Sequence, residues 1–233
     1  MELKHHATTT PELLEIYQSL LRKTIISYQS VNQYSYNDCR AHFYSCLTSE
    51  IETAVLLVDL LVENYPNISV IRNIEFQTEE EMNVFLNNKL SVIASNIREN
   101  LFQRIFLRFE GFARIIAKDQ EKETYSLLDT LKKLILHLSL DSKYQDFATL
   151  LIYIRNTVHF EGYHTKDDIN INYAGVEYQF LQGKPLAFFN IKFLAFLVEE
   201  IDHFALAIIN SDIISKRAFI EHTSTGIINV FLD

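Results

Sequence analysis

Three of the chain's five glycines, Gly162, Gly175 and Gly183, fall within 22 residues, and Pro185, one of only three prolines, follows almost directly. Elsewhere glycine and proline are scarce, which disfavours sandwiches and barrels with many tight turns. A chain of 233 residues with 48% hydrophobic and 22% charged positions is folded and long enough for a sizeable core. It must therefore build that core mostly from helices. The expectation is an all-α protein, a helical bundle with a small β-hairpin inserted before the last long helix.

Local signals place the elements. Thr10, Pro11 and Glu12 read as an N-cap, a first-turn proline and a dipole-matching acid, opening a helix to about Val31. A second helix spans about 37–65 and stops at Pro66. Thr78 and Glu81 form a capping box for a helix to about Lys118, with Asn87-Asn88 as its candidate break. Helices follow at about 122–139, at 142–160 with Asp141 as its cap, and at 188–211, where the apolar spacing is strongly helical. A short helix near 212–221 should precede a polar tail. "ININYAGVEYQF" and "LQGKP" supply the hairpin, at about 169–188. With no internal repeat, low-complexity tract or Gly/Ser linker, residues 1–233 form one expected domain. Its parts are N-terminal helices (1–140), a motif helix with hairpin and following helix (141–211), and a tail (212–233).

Net charge is −9, which argues against a generic nucleic-acid-binding surface. The charge is uneven, however: residues 89–133 carry 9 Lys and Arg against 6 Asp and Glu. Arg98, Arg104, Arg108, Arg114, Lys132 and Lys133 there are either a local phosphate-binding patch or a solvated helix face. Arg98 projects into an apolar arc and so calls for a partner. The longest apolar block, residues 54–62, is nine residues long and contains Asp59, so no membrane span is expected. The N-terminus has no signal-peptide pattern, and His5-His6 reads as a terminus rather than a metal site. Cys39 and Cys46 read as buried structural thiols of a reducing, cytoplasmic compartment, with no metal site and no cofactor.

The remaining feature is "LLIYIRNTVHFEG", residues 150–162. Projected at about 100° per residue, Phe147, Leu150, Leu151, Ile154 and Val158 make one apolar arc. Ala148, Ile152, Arg155 and His159 make a second stripe beside it, a mixture that suits a partner-facing surface. Arg155 and His159 are one helical turn apart and neighbour each other. A permanent guanidinium beside a titratable imidazole can clamp an anion and move a proton. The plainer reading is a helix end, with Arg155 snorkelling and His159 bonding the last carbonyls.

"RNTVHFEGYH" resembles the Arg–Asn…His–x–x–Gly–aromatic signature of the HEPN superfamily of helical proteins, common in prokaryotic toxin and antiphage systems. The likeness continues through the hairpin to "LAFLVEEIDHF" and covers about 145–210, with an Arg–His spacer one residue shorter than the usual catalytic pattern. The resemblance implies a dimeric, metal-independent endoribonuclease of toxin or antiphage-defence type. In it a ribose 2′-hydroxyl attacks the adjacent phosphate, leaving a 2′,3′-cyclic phosphate. His159 would move protons, Arg155 would hold the phosphate oxygens and Asn156 would position either. Tyr163 and His164, after the signature glycine, are candidate substrate contacts, and Glu110 in "RFEGFARII" is a candidate for orienting Arg155. Tyr173 and Tyr178 are further stacking candidates. Expected partners are a second copy of the chain, RNA, and a cognate antitoxin or nucleotidyltransferase. The alternatives are a non-catalytic HEPN-like dimerisation or RNA/nucleotide-binding module of a larger system, and an unrelated helical scaffold.

Overall fold

A computed structural model describes residues 10–64, 77–160 and 162–222. The elements run α1 (Thr10–Ser30), α2 (Cys39–Asn64), α3 (Glu79–Asp119), α4 (Leu127–His137), α5 (Lys143–His159), β1 (Ile169–Tyr173), β2 (Val176–Phe180) and α6 (Ile191–Ile209). The chain is mostly helical with one antiparallel hairpin before the last helix, as the glycine distribution implies.

Thr78 caps α3 by accepting a hydrogen bond from the Glu81 amide at 3.1 Å, and Glu81 reaches back to the Gln77 amide at 3.0 Å. The helix then continues for 41 residues without a break at Asn87-Asn88, because asparagine weakens a helix by only tenths of a kcal/mol, up to about 0.7. α4 starts later than expected, at Leu127, where the Ser126 side chain accepts from the Asp129 amide. The N-cap position of α5 is Ser142, one residue after the expected Asp141, but the Ser142 side chain makes no capping bond and it is Asp141 that accepts from the Lys143 amide, at 2.9 Å. The expected stop of the second helix at Tyr65-Pro66, and His5-His6, lie outside the described residues.

α2 packs between α1 and α3, α6 lies against α1 and α3, and α5 rests on α4 and β1. Aromatic rings fill the centre. Phe43 stacks on Phe112 at 4.8 Å, and Phe204 stacks on Tyr144 at 4.6 Å while meeting Phe109 and Phe147. Each such buried ring contributes roughly 1.5–3 kcal/mol of transfer free energy. In the hairpin, Ile171 pairs with Tyr178, and Ile171, Tyr173, Tyr178 and Phe180 turn one face inward. Its turn places Ala174 and Gly175 at φ of 51° and 76°, the two left-handed residues of a tight hairpin turn.

Residues 212–221 are not a helix. A turn at 212–216 leads into an extended strap across the start of α2. The Arg40 guanidinium donates to the carbonyls of Ile214 and Arg217, and Asp38 accepts from the Ile220 amide. Backbone bonds join Cys39 to Ile220 and His222 to Asn37. Carbonyls and amides that a helix would use internally are spent across the chain instead. Arg40 and Asp38, both sealed from solvent, form the ion pair beneath this strap.

Candidate functional site

The last turns of α5 line a cleft of about 400 Å³ through Tyr153, Arg155, Asn156, Thr157, His159 and Phe160, and the following loop adds His164, Thr165 and Lys166. α5 ends here because Gly162 adopts φ of 84°, which lets its amide return to the Thr157 carbonyl at 3.0 Å. The chain then doubles back, and the loop 163–168 faces the helix it has just left.

Arg155 is half-buried. Its Nη1 donates to Asn156 Oδ1 at 3.2 Å, and the guanidinium sits 5.7 Å from the Phe106 ring centre on α3. Six other arginines meet carboxylates: Arg40 with Asp38, Arg98 with Glu99, Arg104 and Arg108 with Glu50, Arg114 with Glu110, and Arg217 with Asp119. Among the described residues Arg155 meets none. His159 is exposed at the cleft rim, its ring centre 5.6 Å from that of Phe160 in an edge-to-face arrangement. Arg155, Asn156 and His159 thus share one cleft. The stripe expected to carry them outward is only half a surface: Ala148 is fully buried, Ile152 and Arg155 are half-buried with Ile152 packed against the core, and His159 is exposed.

The other candidates lie elsewhere. The Glu110 carboxylate accepts from Arg114 Nε at 2.9 Å and is not part of the cleft; one turn away on α3, Arg114 is its nearest partner. Tyr163 is exposed on a neighbouring depression with Arg98 and Phe189. His164 forms part of the cleft wall but is only 3% exposed. Its Nε2 donates to the Asp167 carbonyl at 3.0 Å and its Nδ1 lies 3.5 Å from Thr157 Oγ1, so the ring holds the loop rather than reaching outward. Tyr173 and Tyr178 are buried in the hairpin core, and the Tyr173 hydroxyl donates to Glu200.

Thr165, Lys166, Phe160 and Tyr153 were not singled out by the sequence. A lysine four residues after the signature glycine was the available signal. The arginines of the basic middle segment are engaged within the chain: Glu50 meets both Arg104 and Arg108, and Arg98 turns to Ser95, Glu99 and the Phe189 face. Cys39 is buried and Cys46 is half-buried, 3.3 Å from His42 Nε2. Among the described residues no cluster of three His, Cys, Asp or Glu could hold a metal ion. No helix among them is long and apolar enough to cross a membrane.

Comparison of the chain with models of known protein families, with curated proteins and with solved structures gives no match.

Proposed function

We propose that the cleft at the end of α5 cleaves RNA without a metal, and that two copies of the chain assemble the working site. One observation carries this reading: Arg155 is a half-buried cation with no carboxylate among the described residues, set in the same cleft as His159. A guanidinium partly shielded from water and left without a carboxylate can receive an anion. A phosphodiester supplies that anion, and an imidazole at the rim supplies the proton transfer that attack by a 2′-hydroxyl requires. Arg155 stabilises the extra negative charge as the phosphorus becomes five-coordinate. Asn156, bonded to Arg155, fixes the fork. The resemblance of "RNTVHFEGYH" to the HEPN signature supports the same roles, and a second subunit brings a second Arg155 and His159 to the phosphate.

The test is cleavage of single-stranded RNA by the purified chain in EDTA. Wild type is expected to cut and leave a cyclic phosphate terminus; His159→Ala is expected not to. Equal cutting by both removes His159 from the chemistry. The second reading is a module that binds RNA or nucleotide without cutting it, as part of a larger toxin or defence system with its own antitoxin or nucleotidyltransferase. It is favoured by the fact that no hydrogen bond within the described residues orients His159, whereas catalytic imidazoles are held by a partner. Cleavage by the wild type excludes it.

A further inference from the structure

We infer that the loop 163–168 is the second half of a one-nucleotide pocket, in which Lys166 grips the phosphate opposite Arg155 and Phe160 supplies the stacking surface for the base. The inference rests on the reading of the cleft as a phosphate site, but not on cleavage.

The loop is built to hold its shape. At its start, the His164 amide donates to the Lys184 carbonyl at 3.1 Å and the Gly183 amide donates to the His164 carbonyl at 2.7 Å. At its end, Asp168 Oδ1 accepts from the Gln182 amide at 2.7 Å. Between them the buried His164 ring bonds the Asp167 carbonyl, faces Thr157 of α5 and lies edge-on to Phe180 at 5.6 Å. Thr165 and Lys166 are therefore carried on a short arch pinned at both feet. A lysine on such an arch loses little further backbone freedom when it meets a ligand.

Lys166 is exposed and, among the described residues, has no carboxylate partner. It lines the same 400 Å³ cleft as Arg155, which has none either. Two cations without carboxylate partners around one cleft repel, and an anion bound there relieves the repulsion. The volume is within the range of small-ligand clefts and suits one nucleotide with its phosphate. Phe160, which also lines the cleft, keeps 53% of its surface in water. An exposed ring beside a phosphate site is the arrangement by which proteins stack an unpaired base. The target class is then an unpaired nucleotide within RNA, held by its phosphate and by one base face.

Isothermal titration of the full chain with AMP, UMP and inorganic phosphate tests this. Wild type is expected to bind both nucleotides, with phosphate competing. Lys166→Ala and Arg155→Ala should each weaken AMP at least tenfold, about the effect of losing one charge-assisted contact. Phe160→Ala should weaken AMP and UMP and leave phosphate unchanged, which separates stacking from charge. His164 is a positioning residue: His164→Ala should weaken AMP through Lys166, so that the His164→Ala, Lys166→Ala double variant is no weaker than Lys166→Ala alone. Additive losses would assign His164 a merely structural role and overturn that part. Unchanged AMP binding by Lys166→Ala, or no binding by wild type, overturns the pocket. The two readings part cleanly. AMP binding without RNA cleavage leaves this inference standing and removes the ribonuclease. Cleavage with unchanged KM and kcat in Lys166→Ala does the reverse.

Discussion

Asp38 and Arg40, two positions apart, form an ion pair at 2.6 Å with neither side chain exposed. Arg40 also stacks on Tyr34 at 3.5 Å and donates to two carbonyls of the C-terminal strap. One buried fork thus ties the α1–α2 turn to residues 214–220. Removing either partner leaves a charge in the core with its hydrogen bonds unmade. Arg40→Met is therefore expected to cost about 3–5 kcal/mol, read by urea unfolding at neutral pH. A loss under about 1 kcal/mol would show that the strap contributes little to the fold.

The same pair gives acid sensitivity. Burial pushes the Asp38 carboxyl upward, but the Arg40 side-chain and backbone bonds, the Ile220 amide and the Arg40 charge outweigh it and hold Asp38 below its ordinary value. A carboxylate depressed in the folded state adds stability that is complete above the ordinary value, about 3.9, and is lost as pH falls through the depressed one. Unfolding below about pH 4 should be steeper in wild type than in Asp38→Asn, as followed by circular dichroism.

Asp202 has the opposite sign. Burial raises its carboxyl, and the hydroxyls of Ser27 and Tyr44, both at 2.7 Å, only partly oppose that. A raised carboxylate stabilises the fold below its ordinary value, and that contribution is lost as pH rises through the raised one. Asp202→Asn keeps an acceptor for Tyr44 and a donor for Ser27. It should be more stable than wild type at pH 8 by about 1 kcal/mol, with the gain shrinking toward pH 4. Equal stability at both pH values would mean that the carboxylate is not perturbed.

His42 and His222 stack with ring centres 3.5 Å apart, where the strap ends on α2. Burial lowers both below the ordinary histidine value, with His222 and Arg108 adding for His42 and Arg108 for His222. Protonation therefore favours the unfolded strap. Its contribution is complete above about pH 6.5 and falls as the medium acidifies through the depressed values. His222→Phe retains the stack and should flatten amide exchange at residues 217–222 between pH 7 and pH 5. An unchanged pH profile would assign the acid response to another group.

For the proposed ribonuclease, Arg155→Ala and His159→Ala should each lower cutting by at least roughly a hundredfold, the scale of losing one acid–base or charge-stabilising group. Mixing the two inactive variants should restore part of the activity if two subunits share the site. A monomer by light scattering at micromolar concentration, with full activity, would rule out sharing.

What the sequence determined by itself was local. The turn-poor composition, the Thr78–Glu81 cap, the helical spacing of residues 191–209 and the glycine cluster around the hairpin each act over a few residues, and the elements follow them. The same local rules bring Arg155 and His159 to the end of one helix. Tertiary structure decided which charges stay unpaired. Glu50 reaches Arg104 and Arg108 from more than fifty positions away, and Arg40 reaches the strap from 174 and 177 away. No spacing rule encodes such pairings, because they depend on how whole helices pack. That packing turned the expected helix at 212–221 into a strap and sealed His164 inside the loop. It also left Arg155 without a carboxylate among the described residues, in the cleft that it lines with His159.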